Sequence, residues 1–357
     1  MTHPWPSDLS VEEHASPTAM PDVYRAGFSG LIEDPEADGL LSEQMSWPTF
    51  ADVVESFPHL AKGNGFGRLP GVDEDGLFLP FLAQLRCEAS VLGISGSFAD
   101  LTRDSNLRPW PEAQRVGDCT SHFVRNACDL VRAAEICSGE PESWICRGAT
   151  EPCYGSRGHR GHGASCSRLL KFVSNDGGMF LRREIDVEGF GTLNLSKYSP
   201  EIGTKWGASG VPQAVCKAGK PYQINEVTRC NTRAEIIAAF QNGLSVGGCS
   251  SMGFSSERNE WGVATPRGSW SHAMQWSGLD IRPSTTERYR HGLVLIQQSW
   301  GLWNRGERQI HGTPYLIPEG SFWADLGHVV KHAGGFFTLA GANGWQLPPL
   351  QTLGTSF

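Results

Sequence analysis

Between residues 119 and 136, apolar side chains recur at spacings of three and four: Phe123, Ala127, Leu130, Val131 and Ala134. That spacing predicts a long amphipathic helix, with Asp118 placed as its N-cap. Two shorter helices are expected at 167–174 and at 232–242. In the second, Thr232 and Glu235 stand at capping-box spacing. Upstream, Phe50, Val53, Val54 and Phe57 keep a helical spacing over residues 49–60, which Pro58 interrupts. Residues 77–92 are apolar in a way that leaves strand and buried helix equally open. Beyond residue 242 the pattern shifts to short apolar runs of strand length at 244–248, 272–278 and 293–298. Helices therefore precede a β-rich half, which predicts an α+β fold rather than alternating α/β. No internal repeat is visible.

The stretches between these elements are turn-like. Residues 1–40, rich in Pro, Asp and Glu, read as an extended arm, and 63–76 as a Gly- and Asp-rich loop. Pro109 and Pro111 mark a linker-like approach to the long helix. Residues 137–167 read as irregular, rich in Gly, Cys and Arg. Thirty-nine per cent hydrophobic residues and twelve tryptophans over 357 positions exclude disorder throughout. The longest apolar runs, such as 293–296, are far too short to cross a membrane. No basic stretch followed by an apolar one opens the chain, so an intracellular or virion-associated location is expected.

Charge divides the chain. Residues 1–100 hold 16 acidic and 4 basic side chains, whereas the remainder is mildly basic within a total of −8. An acidic leading segment on a basic body suggests two parts, the first free to lie on the second or to bind a protein partner. No basic run interleaved with aromatics points to nucleic acid.

All ten cysteines fall between Cys87 and Cys249. Without a secretion signal, reduced core thiols, a metal site or one reactive thiol are the candidates. Cys137, Cys146, Cys153, His159, His162 and Cys166 are metal-ligand types, but no spacing is CxxC. Unlinked thiols in a Gly/Arg-rich loop fit this segment better than a metal site or disulfides. Its glycines lack the Gly-Lys-Ser/Thr of a phosphate loop, and no cofactor is expected.

Cys119 is singled out by its place. It follows a Gly117-Asp118 turn and opens the long helix, where unpaired backbone N–H groups favour a thiolate. Asp118 opposes this unless engaged as a cap. A base is available in His272, within GSWSHAMQWSG at the start of a predicted strand, and Gln298, within LVLIQQSWG, can orient the imidazole through its side-chain carbonyl. His122, one turn after Cys119, reads as packing beneath the site.

GDC opening a helix, S-H-A-M on a strand and I-Q-Q-S-W-G further on resemble, in order and local text, the papain-like cysteine peptidases, and among them microbial and phage-encoded members. The resemblance spans residues 107–330. It implies a two-lobed fold, a helical lobe with a long central helix and a β-rich lobe. It implies Cys119 as nucleophile, His272 as base, Gln298 as the third group, Trp300 as the shield over it and Gln114 as oxyanion donor. It also likens residues 154–183 to a Gly-rich wall of the cleft with its G-G turn, and 236–252 to the helix and strand before the histidine. Departures stand beside it. Gln298 replaces the usual Asn, Gln114 lies five rather than six positions before the cysteine, Thr120 replaces Trp, and a polar insertion at 280–291 lengthens the path from His272 to Gln298.

The division expected is an acidic N-terminal extension at 1–106, a papain-like domain at 107–340 and a tail at 341–357. The function expected is hydrolysis of peptide or isopeptide bonds in a peptide or protein substrate. The alternative is a papain fold kept as a structural or interaction module, for example in a virus particle or larger assembly. A third reading, the arm as an inhibitory pro-segment, lacks the long charged helix that the family carries there.

Overall fold

The apolar stretch that periodicity left undecided, 77–92, resolves into both elements: strand β1 (Leu77–Phe78), then helix α1 (Phe81–Leu92). The helix stops at Gly93, whose φ of 68° is the left-handed conformation that glycine adopts at helix C-termini. The computed structural model describes residues 47, 49, 76–107, 112–138 and 144–342. The arm at 1–40 and the helix expected at 49–60 fall outside these residues, Thr49 excepted. Within the segment read as an extension, β1 pairs with the main sheet, and Leu82, Leu85 and Ala89 of α1 pack with Leu130 of the long helix.

The first part is mostly helical: α2 (Phe98–Arg103), α3 (Cys119–Cys137), α4 (Thr150–Gly155), α5 (Cys166–Lys171), α6 (Pro200–Ser209) and α7 (Gln213–Gly219). A hairpin of β2 (Glu184–Val187) and β3 (Gly191–Asn194) lies among them. Then follow β4 (Ile224–Cys230), α8 (Arg233–Gln241), β5 (Val246–Arg258), β6 (Ala264–Asp280), α9 (Pro283–Thr286), β7 (Leu293–Gln297), β8 (Arg305–Gly306), β9 (Phe322–Asp325), α10 (Leu326–His332) and β10 (Ala333–Ala342). The strands form one antiparallel path, β4-β10-β5-β6-β7-β9, with β1 added to β6 and β8 running parallel to β5. The fold is α+β, with the helical part first, as the order of patterns predicts.

Consecutive residues of β6 and β10 divide between two cores. Ala273 and Phe337 face α3 together with Phe123, Val124 and Leu169, whereas Met274 and Phe336 face α8 together with Ile236 and Phe240. The sheet is thus sandwiched, and each large apolar side chain enclosed contributes about 1.5–3 kcal/mol. Gly247 of β5 lets the sheet press on α3, since a Cβ there would overlap the Phe123 ring.

Three expectations need correction. The 137–167 stretch contains α4, a six-residue helix whose every residue is buried. Its packing against Trp206 of α6, by way of Gly155, stabilises what local sequence alone does not. The helix expected at 167–174 starts at Cys166, capped by Ser165, and widens into a π-turn at Phe172–Asp176 before the Gly177-Gly178 turn. The strand expected at 244–248 begins at Val246 and runs on to Arg258, and the one expected at 272–278 lies within a strand from Ala264 to Asp280, both extended through polar residues that periodicity does not mark. The α8 capping box forms as read, Thr232 accepting from Glu235 N–H while the Glu235 carboxylate accepts from Thr232 N–H.

The long helix also differs in kind from an amphipathic surface helix. Every residue from Cys119 to Glu135 is buried, the charged ones included. Ion pairs cover the polar side. Arg125 meets Glu112 at 3.3 Å and Arg132 meets Asp129 at 3.4 Å, while Asp129 accepts the Gly148 N–H at 2.9 Å. Arg182 extends the network, pairing with Glu112 at 3.1 Å and Glu151 at 3.0 Å.

Candidate active site

Cys119 is the first residue of α3 and is completely buried. The backbone N–H of Ala273 donates to its sulfur at 3.5 Å. Ala273 directly follows His272, so one hydrogen bond sets the strand that carries the histidine against the start of the helix that carries the cysteine. Burial pushes the Cys119 thiol from its ordinary 9.0 up to about 12, and the Asp118 charge adds to the rise. The Ala273 N–H and the Thr120 side chain pull the other way without overcoming it. The lowering expected from the helix N-terminus is therefore outweighed by desolvation.

Asp118 occupies the N-cap position but makes no side-chain cap. Its Oδ2 accepts the Tyr198 hydroxyl at 2.7 Å and lies 3.5 Å from His122 Nε2. The Tyr198 hydroxyl in turn accepts the Arg115 N–H at 3.1 Å. The loop around Tyr198, some eighty positions downstream, thus supplies the partner expected from the helix itself. His122 packs beneath the helix start, its Nδ1 facing Arg125 at 3.4 Å and its ring edge-on to Tyr198.

His272 lies on β6 opposite Ser250 of β5 and is fully buried. Trp300 stacks on its ring with centroids 4.5 Å apart and planes 29° apart. Trp270 meets both rings edge-on, and Trp303 closes the group.

Gln298 sits at the end of β7. Its oxygen accepts the Trp300 N–H, and its amide donates to the carbonyls of Gly320 at 3.1 Å and Gly301 at 3.4 Å. It holds the turn that presents Trp300 to the imidazole. Gln114 is fixed to the same turn. Its backbone N–H donates to the Ser299 carbonyl at 2.8 Å, its side-chain oxygen accepts the Ser299 hydroxyl, and its amide donates to the Val116 carbonyl at 2.8 Å. The structure therefore links Gln114, Gln298, Trp300 and His272 through bonded or stacked neighbours, and links Cys119 to them through Ala273.

The second cysteine group disperses. Cys166 forms a disulfide with Cys249 of β5, outside the group considered from sequence. Cys137 faces α1, where its thiol donates to the Ala83 carbonyl at 3.8 Å while Cys87 donates to Ala133 at 3.9 Å. Cys153 is buried beneath Leu169. Among the described residues no group of three His, Cys, Asp or Glu side chains is placed to hold a metal ion. None of their helices is long and apolar enough to cross a membrane.

Several residues around the site escaped the sequence reading. Trp270 and Ser299 sit within the quoted motifs beside His272 and Gln298, so their proximity was available there. Arg182 and Cys249 lie within the segments 154–183 and 236–252 likened to family elements but were given no role there, and Tyr198 comes from a segment with no motif.

No protein-family model matches the chain, and no curated protein matches it in sequence. Solved structures similar to it include xylellain, a cysteine protease from Xylella fastidiosa, at 16% identity and a TM-score of 0.43, over 65% of this chain and 82% of that one. Digestive procathepsin L 3 of the Tenebrio molitor larval midgut is similar at 9% identity and 0.37, over 65% and 66% of the two chains. Procathepsin B S9 from Trypanosoma congolense is similar at 11% and 0.37, over 77% and 78%. None of these likenesses assigns a residue or an activity to this chain.

Proposed function

We propose that this chain is a cysteine-type peptidase that cleaves peptide or isopeptide bonds in a peptide or protein substrate. The observation that carries the reading is the Ala273 N–H on the Cys119 sulfur, which sets the helix-opening thiol beside the strand bearing His272. In this reading the Cys119 thiolate attacks the amide carbonyl. The Cys119 backbone N–H and the Gln114 amide stabilise the oxyanion, worth about 2.7–4 kcal/mol per donor. His272 protonates the leaving amine and then activates water for deacylation. Gln298 acts at one remove, by holding Trp300 flat on the imidazole.

The test is selective labelling and loss of turnover. Under reducing conditions a thiol-directed epoxide should modify Cys119 ahead of the other thiols, and Cys119→Ala should abolish hydrolysis of a peptide library. Uniform labelling of all accessible thiols with no peptide turned over would remove the reading.

A second reading has its own observation. Cys119 is shut away from solvent with its thiol held near 12, which suits a structural or interaction module better than a working nucleophile. In that case the acidic first hundred residues would serve a protein partner in a larger assembly, a virus particle among them. An inert protein that stays monomeric at all concentrations would count against it.

A further inference from the structure

The disulfide between Cys166 and Cys249 joins residues 83 positions apart. Its two ends belong to the two walls around Cys119. On one side, the Gly163 N–H donates to the Gly117 carbonyl at 2.9 Å and the Thr120 hydroxyl to the Ala164 carbonyl at 3.1 Å. Residues 163–166 therefore run alongside 117–120. On the other side, Cys249 stands opposite Ala273 in the β5–β6 register, and Ala273 holds the Cys119 sulfur. Cys119, Ala164, Cys166 and Ala273 share one buried cluster, with Cys249 packed against it.

The wall on the Cys166 side hangs from a glycine-rich segment. Gly158 and Gly163 hold φ of 82° and 85°, left-handed values that other residues adopt with strain, and most of the positions between them are exposed. Apart from packing, the disulfide fixes this wall to the sheet. Cys166 is buried, whereas Cys249 is only partly so, which makes Cys249 the more accessible end of the bond.

We propose that the Cys166–Cys249 disulfide is a redox latch on the Cys119 site, shut when oxidised and opened by a dithiol reductant. The proposal rests on reading Cys119 as the nucleophile. A thiolate of the reductant attacks Cys249 Sγ, the S–S bond breaks, and Cys166 leaves as a thiolate that takes up a proton. The second thiol of the reductant then attacks the mixed disulfide and releases Cys249 as a thiol. Two electrons pass to the protein, and the reductant leaves as its own disulfide. Freed from β5, residues 163–166 can move off Cys119.

The experiment uses the whole chain, air-oxidised, with the bond verified by peptide mapping without reductant. Iodoacetamide labelling of each cysteine is followed by mass spectrometry, with and without prior phosphine reduction. Half-exposed Cys216 serves as an internal reference. Reduction should speed Cys119 labelling on the order of tenfold relative to Cys216, because access limits the thiol in the closed state. The Cys166→Ser/Cys249→Ser double variant should label at the fast rate without reductant and respond no further. If that variant does not fold, the oxidised and reduced wild type decide alone. Cys119 labelling unchanged while the disulfide is reduced, or both cysteines free in the oxidised protein, would overturn the latch. Peptide hydrolysis measured in parallel separates the two readings. Faster labelling without hydrolysis keeps the latch and removes the peptidase; equal hydrolysis in both states does the reverse.

Discussion

Gln114 and Ser299 clasp each other twice across 185 positions of sequence, once through backbone N–H to carbonyl and once through hydroxyl to amide oxygen. The clasp sets the loop before Cys119 against the turn that carries Trp300. It therefore couples the approach to α3 to the end of β7.

Ser299→Ala should loosen that coupling. The Gln114 oxygen would remain buried without its hydroxyl donor, at a cost of about 1–3 kcal/mol. Urea unfolding should show the loss as a lower midpoint with an unchanged slope. If the Gln114 amide serves the oxyanion, kcat should fall with little change in KM.

Trp300→Ala should cost about 3–5 kcal/mol, as for other buried tryptophans cut to alanine. It would also strip the cover from the His272 ring. Trp300→Phe keeps an aromatic face and should recover most of the stability and part of the hydrolysis. Equal hydrolysis by the alanine variant and the wild type would show that the stacking is packing alone.

Arg182 bridges two carboxylates, and Arg182→Met should cost about 3–5 kcal/mol by leaving both without their shared partner. The effect has a pH signature. Burial pushes the Glu112 carboxyl up, but Arg182 and Arg125 together hold it below its ordinary 4.5. A carboxyl lowered in the folded state contributes stability above its unfolded value, lost as pH falls through the folded one. Denaturation midpoints between pH 7 and 3 should show a smaller loss on acidification in Arg182→Met than in the wild type, because the carboxyl is no longer held as far below its ordinary value.

The thiols give the opposite slope. Burial raises Cys119 from 9.0 to about 12 and pushes Cys153 and Cys230 up as well. A thiol raised in the folded state contributes stability that is complete below its unfolded value and is lost as pH climbs toward the folded one. Stability should therefore fall steadily from pH 9 toward 12. In Cys119→Ala that slope should be shallower, whatever the absolute change from the missing sulfur. With the disulfide intact, the Cys119 alkylation rate should keep rising with pH and reach no plateau near 9.

Much of this was legible in the chain. The stripe from Phe123 to Ala134 marked α3 nearly to its last residue, because helical periodicity is local. Thr232 and Glu235 marked the start of α8 for the same reason. Cys119, His272 and Trp300 were singled out through short motifs, and the structure stacks Trp300 on His272 and hydrogen-bonds Cys119 to Ala273 beside it. What stayed hidden depends on partners far away in sequence. Asp118 looked like a cap, yet Tyr198 takes its carboxylate. The apolar stripe of α3 said nothing of its charged positions, which Glu112 and Arg182 enclose. Cys166 looked like part of a loop cluster, and only the β5 register shows Cys249 beside it. The Cys119 thiol could not be judged from its helix start, because its burial is a property of both walls.

The strand order carries a consequence for synthesis. β10 lies between β4 and β5, pairing Phe336 with both Cys230 and Gly248. A nascent chain that has reached β9 has already made Cys119, His272 and Gln298, yet the gap between β4 and β5 is still open on both edges. Those bare edges invite pairing with other chains until β10 fills them. The ribosome must deliver residues 333–342 before the stretch of β5 from Val246 to Ser250, which lies opposite His272 and its neighbours, is paired on its other edge. Completion of the sheet is thus timed to its last strand, and a chain cut short before that point would carry Cys119, His272 and Gln298 with β4 and β5 still unjoined.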